Sequence, residues 1–115
     1  MKRDMDLIRA VVLKAQNGDF HGGIPGFSDE EVKYHQALAI EKGLLEGKVL
    51  EDSSSMTDVP LAVIVLGVPW EGHDFIDAIE SDSNWSKVKS FLAEAGKQVT
   101  IETIKYAVQK LFGAP

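Results

Sequence analysis

The chain has no cysteine and no long hydrophobic run, and between Val49 and Ser86 it has no lysine or arginine. Each absence removes a class of explanation. Without cysteine there is no disulfide, no thiolate metal ligand and no sulfur nucleophile, and the chain is compatible with a reducing compartment. The longest apolar stretch, Leu61 to Val68, has eight residues (LAVIVLGV), against the roughly 20 a membrane-spanning helix needs. The start, MKRDMDLIR, carries charge on both sides of Met5, so it lacks the apolar core of a signal peptide. The expectation is a soluble, cytoplasmic protein with no membrane partner.

What is present has the proportions of one folded domain. A chain of 115 residues, 44% hydrophobic and 26% charged, is long enough to bury a core and too apolar to stay disordered. The net charge of −6 is unevenly spread. Met1 to Asn17 holds four basic and two acidic residues, and Ser86 to the end holds five basic and two acidic. In the middle, Glu51, Asp52, Asp58, Glu71, Asp74, Asp77, Glu80 and Asp82 form a block of one sign, which limits the partners that region can meet.

Periodicity and punctuation divide the chain into elements. Met5, Ile8, Val11, Val12 and Ala15 recur at three- and four-residue steps, with Asp4 and Asp6 in the first turn and Asn17-Gly18 as a stop, which predicts a first helix. GDFHGGIPGF follows and reads as a loop with at most a short strand. Ser28 with Glu31 forms a capping box that opens a helix running to Lys42 and stopping at Gly43. LLEGKVL (44–50) and LAVIVLG (61–67) are strands of a hairpin joined by the polar segment EDSSSMTDVP, whose tip is expected to be mobile.

Pro69 suits the first turn of a helix that buries Trp70, Ile76 and Ile79, with Phe75 at the flank. A further helix from Asp82-Ser83 carries Trp85, Val88, Leu92 and Ala95 as one stripe, with Phe91 beside it, and ends at Gly96. Thr100 caps a last helix with Ile101, Ile104, Val108 and Leu111 on one face, ending at Gly113.

The order is helix, short extended piece, helix, two-stranded hairpin, then C-terminal helices. A helix that stops at glycine and leads into a hairpin, followed by another helix, is the arrangement of an α+β winged-helix domain with the hairpin as wing. Residues 1–80 would form the core with its wing and 81–115 a C-terminal helical extension of the same domain. The segments MKRDMDLIR, IPGFSDEEVKYHQALAIEKGLLEG and WEGHDFIDAIESDSNWSKVK resemble a family of small bacterial and prophage proteins known as domain of unknown function 2513. The resemblance runs from Met1 to about Lys89. It implies a winged-helix fold and a link to mobile elements, and it brings no activity and no catalytic residues with it.

Two features depart from the winged-helix pattern. DFHGGIPGF has no room for a regular extra helix, so the usual helix-turn-helix pair is shortened or missing. Where many wings end on a Leu-Thr step, this chain has Val68, Pro69, Trp70, Glu71 and Gly72.

In such a fold the helix before the wing would enter the major groove, with Lys33, Gln36, Ala37 and Ile40 as its outward surface. Gln36 is suited to reading adenine. Only Lys33 and Lys42 offer phosphate charge there, against four acids between Ser28 and Gly43, and the wing has Lys48 and then only acids. A duplex binder neutralises about 6–10 phosphates, a number this face reaches only if a dimer recruits Lys2, Arg3, Arg9 or the C-terminal lysines. Apolar Ala37 and Ile40, with two amphipathic helices after the wing, suit a protein partner or a homodimer instead.

PWEGHDFIDAI places His73 and Asp77 four residues apart on one helix face with Glu71 nearby, a spacing that would hold a metal for hydrolysis. The competing account is a strand-to-helix corner in which Trp70 and Phe75 anchor, Gly72 allows close packing and His73 faces water. A hydrolytic zinc site takes three protein ligands, and His21 and His35 lie on other elements. His35 shares a face with Val32, Leu38 and Ala39, which suits a half-buried, hydrogen-bonded histidine. Ser53, Ser54 and Ser55 have no paired histidine, and the glycine-rich loop lacks a P-loop lysine. The balance of these readings is a non-catalytic winged-helix protein that acts by macromolecular recognition in a bacterial or phage setting, with no cofactor and no metal. Protein or self-recognition ranks first, a DNA-binding transcriptional regulator second and a metal-dependent hydrolase using His73 and Asp77 a distant third.

Overall fold

The computed structural model describes residues 1–19, 23–51, 53 and 56–113. Among these it forms five α-helices and one two-stranded antiparallel sheet, a mixed α+β architecture. The chain divides into two compact units, Met1–His73 and Asp74–Pro115.

In the first unit, α1 (Met5–Gln16) is capped by Asp4, whose extended backbone turns its carboxylate onto the amides of Asp6 and Leu7. Asp4 is thus the cap and not a member of the first turn, and it satisfies two amides that the helix leaves unpaired. The buried stripe of α1 is Met5, Ile8, Val11, Val12 and Ala15, as the periodicity requires, with Leu7 completely buried beside it. Each of these side chains apart from Ala15 is worth roughly 1.5–3 kcal/mol when removed from water. Between α1 and α2, Phe20, His21 and Gly22 lie outside the described residues. The described part of this loop forms no strand: Phe27 N–H turns back onto the Ile24 carbonyl, and Lys14 Nζ donates to the Gly23 carbonyl at 2.9 Å.

Helix α2 (Asp29–Glu41) opens with both halves of the capping box in place. Glu31 N–H donates to Ser28 Oγ at 3.1 Å, and Ser28 N–H donates to Glu31 Oε1 at 3.0 Å. The helix ends where Gly43 takes a φ of +78°, a left-handed conformation open to glycine at little cost. The amides of Leu44 and Leu45 then both return to the Ala39 carbonyl, and both side chains are buried. These two leucines, expected to begin a strand, instead make the buried corner between α2 and the sheet.

The strands are β1 (Glu46–Leu50) and β2 (Ala62–Gly67), paired antiparallel with Lys48 opposite Ile64 and Leu50 opposite Ala62. A bulge at Glu46/Gly47 shifts the register, so that Gly47 faces Val65 and Glu46 faces Gly67. Burial alternates along both strands. Gly47, Val49, Val63, Val65 and Gly67 are the half-buried set, and α2 packs against both strands. Of the connector, Asp52, Ser54 and Ser55, on which the expectation of a mobile tip fell, lie outside the described residues.

Helix α3 (Trp70–Ile79) begins after Pro69, whose carbonyl accepts the His73 amide. Trp70 is 81% exposed, which corrects the expectation that it anchors the corner. Phe75, Ile76 and Ile79 are buried instead, because the 3.6-residue period places them on one side and Trp70 off it. Gly72 does allow close packing: a Cβ there would stand 2.6 Å from the Leu44 carbonyl oxygen.

In the second unit α4 (Asp82–Glu94), capped by Ser81, packs on α5 (Ile101–Phe112), capped by Thr100. Helix α4 buries Trp85, Val88 and Leu92, while Ala95 falls past its end and is exposed. The buried row of α5 is Ile101, Ile104 and Ala107. Val108 is half-buried and Leu111 is 38% exposed, so the stripe follows the three-residue step to Ala107 rather than the four-residue step to Val108.

Candidate functional site

Lys33, Gln36, Ala37 and Ile40, expected on an outward face of α2, do share one side of that helix, but all four are half-buried. No residue from Glu31 to Ile40 is exposed. The cause is the hairpin. Its inner face carries Gly47 where a larger residue would block approach, and the Ile40 side chain fills the space: a Cβ on Gly47 would lie 2.7 Å from Ile40 Cδ1. Lys33 Nζ reaches the strand end and donates to the Leu61 carbonyl at 3.3 Å. Gln36 lines a narrow crevice with Val11, Lys14, Asp19, Ile24 and Val65. One side of α2 therefore covers the sheet, while Val32, His35 and Ala39 are buried on another side of the helix, which also packs on α1.

Between α2 and the hairpin is a groove of about 380 Å³, walled by Tyr34, Ala37, Leu38, Ile40, Val49 and Pro60. Glu41, Glu51 and Asp58 also line it, and among the described residues no lysine or arginine does. The N-terminal ammonium of Met1 hydrogen-bonds to Asp58, and chiefly through that bond it holds the Asp58 carboxyl below its ordinary range.

The opposite face of the hairpin is the larger departure from expectation. Alternation turns Glu46, Lys48 and Leu50 of β1, and Ala62, Ile64 and Leu66 of β2, to the exposed side. Leu50, Ile64 and Leu66 are each more than half exposed. Leu61, just before β2, is exposed as well. Sequence reasoning missed this face because LAVIVLG is apolar at nearly every position, so its hydropathy carries no alternation to say which residues face in. The legible signal was in β1, where the two-residue period puts Glu46 and Lys48 on one side and Val49 on the other.

His35 is almost completely buried, with both ring nitrogens engaged. Nδ1 lies 2.7 Å from the Glu31 carbonyl oxygen, which makes it the donor, and Nε2 accepts the Asp4 amide at 2.8 Å. The neutral imidazole is the form that fits this pair of bonds, and no ring nitrogen is left for a metal or a substrate proton. His73 and Asp77 are both exposed on α3. The Glu71 side chain, His21, Ser54 and Ser55 lie outside what is described. Among the described residues no three His, Asp or Glu side chains are grouped as metal ligands would be, and no helix is long and apolar enough to cross a membrane.

A family model described as a hypothetical protein, DUF2513, matches residues 2–100. An uncharacterized protein of Haemophilus influenzae is 32% identical over 117 residues, covering 96% of this chain and 95% of that protein. No solved structure matches the chain.

Proposed function

The chain belongs to the DUF2513 family, and from that premise we propose that it is a non-catalytic recognition protein of winged-helix type, working in the cytoplasm of a bacterium or in a phage setting by binding protein surfaces. The observation that carries this reading is the outer face of the hairpin, where Leu50, Ile64 and Leu66 stand more than half exposed on the antiparallel strand pair. Contiguous apolar surface of this kind is expensive to leave in water and is a mark of interaction sites.

The helix–helix–hairpin order of α1, α2, β1 and β2 supports the winged-helix comparison. The same order favours a second reading, a DNA-binding transcriptional regulator. That reading requires a recognition helix and a basic wing. Here the helix face is taken up by the hairpin, and Lys48 is the one cation on the strands. Exposed Lys2 and Arg3 at the start of the chain are its best support.

Fluorescence anisotropy with a mixed-sequence duplex, from low salt to physiological ionic strength, separates the two readings. The expected result is no binding at either end of the range. Affinity that falls linearly on a log–log plot against salt would overturn the proposal and make Lys33 and Gln36 the residues to replace. In parallel, cross-linking in cells with the natural chain and with Ile64→Glu should give protein adducts that the variant loses.

A further inference from the structure

We infer that the outer face of the hairpin binds the same face of a second copy of this chain, an inference that rests on the protein-recognition reading above. Within a chain of net charge −6, this face is neutral: its charged positions are Glu46 and Lys48, two residues apart on β1. Among the described residues neither is engaged in an ion pair within the chain. One acid and one base at that spacing form a self-complementary pattern, which is what a two-fold interface needs, since every contact is made twice with the roles exchanged.

The register supplies the rest of the match. Let two hairpins stack face to face with strands antiparallel, about a two-fold axis passing between Glu46 and Lys48. Glu46 of one copy then lies over Lys48 of the second copy. Ile64 is the cross-strand neighbour of Lys48, and Gly67 is that of Glu46, with Leu66 the extra residue of the bulge immediately before it. Ile64 of one copy therefore lies over the Leu66–Gly67 step of the second, where the Leu66 side chain is exposed. A single axis brings both the opposite charges and the exposed aliphatic side chains together. A strongly basic partner would gain nothing on a neutral face, since Glu41, Glu51 and Asp58 line the groove between α2 and the hairpin rather than this side.

The face is small. It offers about six side chains where a standard stable interface uses roughly 20–30 residues a side, so the dimer is weak and depends on concentration.

Sedimentation equilibrium from low micromolar to near-millimolar chain tests this. The natural protein should move from monomer to dimer mass across the range. Ile64→Glu should raise the dissociation constant about tenfold or more with an unchanged circular dichroism spectrum. Because Ile64 is exposed, that change leaves the core intact. Glu46→Lys and Lys48→Glu should each weaken the dimer severalfold, and combining them should restore it, a rescue that general damage to the fold would not produce. A natural protein that stays monomeric, a dimer indifferent to Ile64→Glu, or a double exchange no better than the single ones would overturn the inference. If the chain is monomeric while Ile64→Glu still abolishes the cellular cross-links, self-association fails and protein recognition stands. Loss of neither signal would sink both.

Discussion

The His35 imidazole on α2 accepts the backbone amide of Asp4, the residue that caps α1, at 2.8 Å. One side chain thus joins the start of the first helix to the middle of the second, and it does so from a buried position where water offers no substitute. Replacing it with an apolar ring of similar size would keep the volume and strand the amide. His35→Phe should lower stability by about 1–3 kcal/mol, read from urea unfolding. An unchanged midpoint would mean that the Asp4 amide finds another partner and that the link is dispensable.

Gly47 and Ile40 make a second obligatory contact. A methyl group on Gly47 would sit 2.3 Å from the Ile64 carbonyl oxygen and 2.7 Å from Ile40 Cδ1. The isoleucine tip can rotate away, but the backbone oxygen cannot move without disturbing the strand pair. Gly47→Ala should cost about 1–3 kcal/mol. Gly67→Ala, where a Cβ meets nothing within 4 Å, should change stability by no more than about 0.5 kcal/mol. Equal effects at both positions would contradict the close approach of α2 to the sheet.

The two tryptophans should separate cleanly. Trp85 is 5% exposed and Trp70 is 81% exposed. Trp85→Ala should cost about 3–5 kcal/mol by opening a cavity, whereas Trp70→Ala should stay within about 0.5 kcal/mol. Fluorescence offers an independent check: acrylamide should quench the Trp85→Phe variant, which retains Trp70, far more readily than the Trp70→Phe variant. Strong protection of Trp70 would restore it to the corner.

Asp58 gives a prediction with a defined pH direction. Its carboxyl is held below the ordinary 3.8, first by the hydrogen bond from the Met1 ammonium. A group depressed on folding contributes stability that is fully present above its unfolded pKa and is lost as pH falls through the lower folded value. The difference in urea midpoint between the natural protein and Asp58→Asn should therefore be constant between about pH 5 and pH 7 and shrink below 3.8. Because the pair is exposed, added salt should diminish that difference. A difference that grows on acidification would contradict the assignment.

Much of the fold was legible locally. Ser28 and Glu31 announced the start of α2, Gly43 its end, and Thr100 the start of α5, because caps and left-handed stops act over three or four residues and need no tertiary partner. Asp4 was read as a member of the first turn and is its cap, a displacement of one residue that only the backbone geometry resolves. Leu44 and Leu45 were read as strand because aliphatic residues suit strands, and the corner needed them for burial. Trp70 and Leu111 were placed inside for the same reason, since hydropathy reports what a residue tolerates and not where the chain puts it.

The candidate site was the least legible part. Helical period correctly put Lys33, Gln36, Ala37 and Ile40 on one side of α2, but it could not say whether that side met water or a hairpin. The two-residue period of a strand makes Ala62, Ile64 and Leu66 share one side of β2 without saying which side is covered. The sequence by itself determined the order of helices and strands, their capped starts and glycine stops at Ser28, Gly43 and Thr100, and that the middle of the chain is acidic, since these follow from neighbours within a few positions. Tertiary structure alone decided which face of each element is covered. That depends on contacts such as Ile40 against Gly47 and His35 against Asp4, whose geometry exists only after distant segments have packed.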